Sequence, residues 1–167
     1  MVALRIIKVE PMYRLGLWHN VALAIIQGDM DAACVRTLGE SYESLFKTYP
    51  KGIAAITLLR GNLTVGSRET NAEAQRVLAK LRGSMLHVAI VIENHGFVAQ
   101  LLRSVIRTLN GVSRGTRLSI ATDIHEAVRV IIPHVVTPGS SSMQQLEKEL
   151  LQAIDLAASA AAPAERP

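Results

Sequence analysis

Cysteine is nearly missing from this chain: Cys34 stands alone among 167 residues. A single thiol excludes an internal disulfide and a cysteine-rich zinc site. Aromatic residues make up 4%, too few to build the stacking platforms that hold single-stranded nucleic acid. Charged residues amount to only 19% and the net charge to +4. That balance is compatible with an anionic partner but too weak to argue for one, and nucleic acid is not expected. No uncharged apolar run reaches membrane-spanning length. The opening Met1-Val2-Ala3-Leu4-Arg5-Ile6-Ile7-Lys8 has no long apolar stretch of the kind a signal peptide carries. A cytoplasmic protein is therefore the expectation. The five histidines, His19, His87, His95, His125 and His134, are scattered, and no pair has metal-ligand spacing. No metal or other cofactor is expected.

What the chain has in quantity is apolar residues, 49% of the total, which excludes a disordered polymer. The most informative stretch is Met85-Leu86-His87-Val88-Ala89-Ile90-Val91-Ile92, apolar at nearly every position. A run of that kind, stopped by Glu93-Asn94-His95-Gly96, reads as a strand covered on both faces. Val2–Val9, Val21–Ile26, Ile53–Leu59 and Arg117–Ala121 read as further strands, with Tyr13–Trp18 continuing or pairing with the first. Helical spacing joins Val35, Leu38, Tyr42, Leu45, Phe46 and Tyr49, then Ala74, Val77, Leu78 and Leu81. It returns at Phe97, Val98, Leu101, Leu102, Val105, Ile106 and Leu109, and at Ile124, Ala127, Val128 and Ile131. Asp29 suits the N-cap of the first helix, Thr70 with Glu73 has capping-box spacing, and Thr122-Asp123 caps the last of the four.

Strands alternating with helices predict an α/β fold: a mainly parallel, five-stranded mixed sheet flanked by helices, plus a C-terminal amphipathic helix. The expected organisation is an α/β domain over residues 1–136, a linker over 137–142, a helix over 143–157 and a disordered tail over 158–167. The helix carries Met143, Leu146, Leu150, Ala153 and Ala157. It either docks on the domain or pairs with its copy. Deleting residues 138–167 is expected to leave the domain folded.

Three local patterns fit this element order. They are the acidic turn Gly28-Asp29-Met30-Asp31, the helix Leu101-Leu102-Arg103-Ser104-Val105-Ile106-Arg107, and the strand and helix start Leu118-Ser119-Ile120-Ala121-Thr122-Asp123-Ile124-His125-Glu126-Ala127. On these, residues 2–135 resemble the STAS-like group, the sulfate-transporter and anti-sigma-factor-antagonist domains, and within it the single-domain SpoIIAA-like branch. The resemblance implies a binding module rather than an enzyme. It also implies a switch by phosphorylation of a Ser or Thr at the start of the second helix. The corresponding loop runs from Leu63 to Thr70, where Ser67 is the nearest match and Thr70 the next; the Asp that usually precedes the site is absent, and Arg68 follows Ser67. A phosphate there would meet free N–H groups and the positive end of the helix dipole. As an unmodified residue, Thr70 serves only as a cap.

Other candidates come from topology. Sites in open α/β sheets gather beyond the carboxyl ends of parallel strands, which here carry Asp29, Arg60, Asn62, Glu93, His95 and Asp123. Glu93 and His95 could exchange protons, but no nucleophile motif accompanies them, and no residue is assigned as catalytic. Arg103, Arg107, Arg114 and Arg117, with no acid between Phe97 and Arg117, form either a solvated face or a patch for acidic protein or an anionic lipid surface. Cys34 lies near the positive end of the first helix, which could lower its pKa, although a small core residue is the simpler reading. Three functions follow. The first is a non-enzymatic regulatory or scaffolding domain that binds an unspecified protein and forms a homo-oligomer. The second is a small-ligand or lipid-headgroup binder using the strand-end cleft and basic residues. The third is an enzyme centred on Glu93 and His95.

Overall fold

The structure, a computed structural model, describes residues 3–61, 63–64, 66–93, 100, 103–104, 107, 117–137 and 141–159. The expected helix over 97–109 lies largely outside the described residues, as do Asn62, His95, Arg114 and residues 160–167 of the tail. Six strands form one mixed sheet in the consecutive order β1-β2-β3-β4-β5-β6. They are β1 (Arg5–Val9), β2 (Tyr13–Trp18), β3 (Val21–Ile26), β4 (Ile53–Leu59), β5 (Met85–Ile92) and β6 (Arg117–Ala121). The first three form an antiparallel meander, and β3 through β6 are parallel. The helices whose bounds are described are α1 (Ala32–Thr48), α2 (Arg68–Leu81), α3 (Ile124–Ile131) and α4 (Met143–Ser159), with a 3-10 turn at Ile132–His134; residues 100, 103, 104 and 107, between β5 and β6, are also helical.

The sheet has six strands rather than the expected five, because Tyr13–Trp18 is a strand of its own. Pro11 interrupts the first run, and β2 then pairs antiparallel with both β1 and β3. Trp18 and Val21 are paired across a two-residue turn in which His19 has φ 51°. A positive φ suits hairpin turns, whose twist matches that of the strands.

Alternation along the strands sorts the side chains onto two faces. Tyr13, Leu15, Leu17, Ala22, Ala24, Ile53 and Ala55 face α1 and α2. Trp18, Val21, Leu23, Ile25, Ala54, Ile56, Leu58 and Ala89 face α3 and α4. A consecutive parallel order with crossovers of one hand puts successive helices on the same face, as α1 and α2 are. After β6 the chain turns onto the opposite face, where α3 and α4 cover it. α4 buries Leu146, Leu150, Ala153, Ile154 and Ala157 in that layer.

Asn20 ties this return path to the start of the sheet. It is 1% exposed. Its side-chain amide donates to the carbonyls of His134 at 3.0 Å and Gly52 at 3.4 Å, and its oxygen accepts from the Val136 N–H at 2.8 Å.

Candidate functional site

The carboxyl ends of the parallel strands bring Asp29, Arg60, Glu93 and Asp123 to one end of the sheet, and local bonds engage each. Asp29 is not the N-cap of α1. That position belongs to Asp31, whose side chain accepts from the Cys34 N–H at 2.7 Å. Asp29 instead accepts from the Thr64 N–H at 2.6 Å and from the Thr64 hydroxyl at 2.8 Å. It thereby joins the loop after β3 to the loop after β4, a pairing across 35 positions that local spacing does not reveal.

Arg60, after β4, and Glu93, after β5, form an ion pair with Nε and Oε2 2.7 Å apart. Asp123 caps α3, accepting from the Glu126 N–H at 2.8 Å. The Glu126 carboxylate returns to accept from the N–H and hydroxyl of Thr122, both at 2.6 Å. Those two bonds hold the Glu126 carboxyl below its usual pKa.

The consecutive order of the described strands offers no switch point of the usual kind for a strand-end crevice. Such crevices open where the order of strands reverses and neighbouring crossovers leave on opposite faces. No reversal occurs among the described strands.

Helix α2 begins at Arg68, earlier than the Thr70 cap expected from sequence. Its cap is Ser67, whose hydroxyl accepts from the Thr70 N–H at 3.1 Å. Glu73 is drawn away from a capping role. It is 5% exposed and pairs with Arg36 of α1 at 3.2 Å and with Arg76, so it links the two helices. Ser67 is exposed at the helix N-terminus.

Arg103 is half-buried and helical, Arg107 is exposed and helical, and Arg117 is exposed at the amino end of β6. Arg117 therefore stands at the opposite end of the strand from the acidic and capping groups. Cys34 is half-buried. Burial, followed by the neighbouring Asp31, pushes its thiol pKa up, the reverse of the activation a helix N-terminus could give. His87 shares a hydrogen bond of 2.9 Å between Nε2 and the Ser119 hydroxyl. Among the described residues no group of three His, Cys, Asp or Glu side chains could hold a metal ion.

Below the strand ends lies a feature that sequence reasoning missed. A cavity of about 290 Å³ sits between α1, α2 and the sheet. Its lining runs from Asp29 and Thr64, beyond the carboxyl ends, to Met85 at the amino end of β5, so it is elongated along the strands. Val35, Leu38 and Val77 are among the apolar side chains that line it, and Asp29 is the only charged one among the described lining residues. Tyr42 is also in the wall, and burial raises its hydroxyl pKa well above the ordinary value. The individual apolar positions were legible as core; the space between them depends on how α1 and α2 meet.

No family model matches the chain, and no curated protein matches it. Among solved structures it is similar to the crystal structure of an uncharacterised protein of the DUF3478 family, with a SpoIIAA-like fold, from Shewanella loihica. The two are 15% identical over 78% of this chain and 94% of the other, with a TM-score of 0.50. At that identity the likeness concerns fold. The chain has a SpoIIAA-like α/β fold, as its element order implied.

Proposed function

We propose that this chain is a non-enzymatic protein-interaction domain, regulatory or scaffolding in role, that self-associates. The observation carrying this reading is the use of the strand-end polar groups. Asp29 is occupied in a loop-to-loop bond, Asp123 in a helix cap, and Arg60 is ion-paired with Glu93, so among the described residues the place where α/β enzymes gather reactive groups is built here for rigidity. A rigid surface suits recognition by shape. Exposed apolar side chains at Ile6, Val9 and Met12 favour association, since such surface is stabilised by a partner. Sedimentation velocity of the full chain from 1 to 100 µM, roughly the range in which weak interfaces form, tests self-association. A concentration-dependent dimer or higher species is expected, and a monomer throughout would remove that part of the reading.

The cavity favours a second reading, a small-molecule binder. At about 290 Å³ it is near the lower limit of ligand pockets. Its apolar wall, with Asp29 the one charged residue among the described lining residues, favours a neutral, elongated apolar molecule over an anionic lipid headgroup. A copurified apolar compound retained in native mass spectrometry, and lost in Leu38→Trp, would support it. Ser67 enters as the regulatory position of the first reading. It is exposed and already at the helix N-terminus, where a phosphate would meet unpaired N–H groups.

A further inference from the structure

The α3–α4 face of the sheet is not fully covered. In the β1–β2 pairing, Ile6 stands opposite Gly16 and Val9 opposite Arg14. Tyr13, Leu15 and Leu17 point to the α1–α2 side. Arg14, Gly16, Ile6 and Val9 therefore point to the other side, that of α4. Leu4, on the same row, packs against the α3–α4 core. Ile6 and Val9 are instead 40% and 61% exposed, so the helical layer stops short of them. β1 is paired only with β2 among the described residues, which leaves its outer backbone edge open to another strand.

Arg14 is the anomaly on this face. Its register neighbours are Val9 on β1 and Ile25 on β3, both apolar. It is 6% exposed, and its Nε and Nη1 are buried without a hydrogen-bond partner among the described residues. Burial pulls the guanidinium below its usual pKa. A guanidinium with two nitrogens buried and unpaired is unfavourable and is relieved by an acceptor at its edge, above all a carboxylate. The flanking surface is apolar and runs along an edge strand, which suits an extended peptide more than a compact small molecule.

We propose that this face of the β1–β2 ribbon binds an extended acidic segment of a protein partner, with a carboxylate on Arg14 and apolar neighbours over Ile6 and Val9. The segment adds to the β1 edge for a short length, because the pairing register shifts between Ile6 and Lys8 and interrupts a regular ladder. This inference rests on the protein-interaction reading and names the partner's chemistry.

The test uses the full chain, nitrogen-15 labelled, with the Arg14 Nε–H resonance as reporter. The probe is an N-acetylated, C-amidated Val-Glu-Val-Glu-Val peptide, compared with its Val-Gln-Val-Gln-Val counterpart. A saturable shift of that resonance with the Glu peptide is expected. Affinity should fall at least about tenfold for the Gln peptide and for Arg14→Met, the scale of one charge-assisted bond. Arg14→Lys, which keeps the charge but not the fork, should also weaken binding and serves if Arg14→Met does not fold. Absence of a shift, or equal binding by the Gln peptide or by the folded Arg14 variant, overturns the proposal. So does a change in the Arg14 resonance on Glu165→Gln before peptide is added, which would assign the guanidinium to the chain's own C-terminal segment. Self-association of Arg14→Met, measured separately by sedimentation, separates failure of this site from failure of the protein-interaction reading.

Discussion

Asn20 ties the return path of the chain to the sheet and His87 lies against it, and each has a measurable signature. Asn20→Ala would leave the His134 carbonyl and the Val136 N–H without their partner inside the fold. Urea melts should show a loss of about 1–3 kcal/mol, the cost of buried groups left unpaired. His87 bonds to Ser119, lies 5.4 Å from His134 between ring centroids, and has Arg117 close enough to repel a proton. Burial, then His134, then Arg117 depress its pKa below the ordinary 6.5. The unfolded chain therefore binds more protons than the folded one between the two values. Stability is complete above about pH 6.5 and declines as pH falls through that value toward the folded pKa. His87→Gln should flatten the dependence of Tm on pH between 7.5 and 5. Some slope should remain, because burial also lowers the pKa of His19. Neither effect could be anticipated from the sequence in full. An apolar strand showed that His87 would be enclosed, but the second histidine arrives from a turn 47 positions away.

At the scale of elements, α1 and α2 meet at a bare position. A Cβ on Gly39 would lie 2.8 and 2.9 Å from the two methyl carbons of Val77, closer than such atoms approach. Alanine favours a helix over glycine by about 1 kcal/mol, yet overpacking against a stiff, branched neighbour costs about 1–3 kcal/mol. Gly39→Ala is therefore expected to destabilise. Adding Val77→Ala should recover part of the loss, and a double-mutant cycle in urea should give a coupling above about 0.5 kcal/mol. Apolar runs and helical spacing placed β3, β4, β5, β6, α1 and α3 because burial imposes those periods on the chain. The errors fell where tertiary contacts decide. Asp29 looked like a cap and became a link between loops, since Asp31 lies nearer the helix start. Glu73 looked like half of a capping box and became the ion that joins two helices. Tyr13–Trp18 reads from sequence as a continuation or partner of the first strand, yet it is a strand of its own with all six residues buried, because α4 comes back over one face from more than a hundred residues later.

For the molecule as a whole, that returning helix changes the expected outcome of a truncation. A C-terminal segment read from sequence as separable instead supplies Leu150 and Ile154, 0% and 1% exposed, to the α3–α4 core. Leu150→Ala should cost about 2–5 kcal/mol in urea melts. Removal of residues 138–167 should abolish the cooperative thermal transition, because the total stability of such a domain is only about 5–15 kcal/mol. Retention of a sharp transition by that truncation would mean that α4 contributes little to the core. The candidate site was less legible than the fold for a related reason. Its polar residues were visible one by one, and so was the Asp123 cap, while the Arg60–Glu93 pair and the Asp29–Thr64 link depend on strand order, which sequence patterns leave open.

Consecutive strand order has a bearing on how the polypeptide is made. As the chain leaves the ribosome, each strand can settle beside the one just formed, so most pairing is available early and between near neighbours. The second side of the sheet is different, for its cover is synthesised last. Until roughly the final quarter of the chain emerges, Trp18, Leu23 and Ile56 face solvent on a nascent surface, the kind that chaperones recognise. A translational pause near the codons for Met143 would lengthen that exposure.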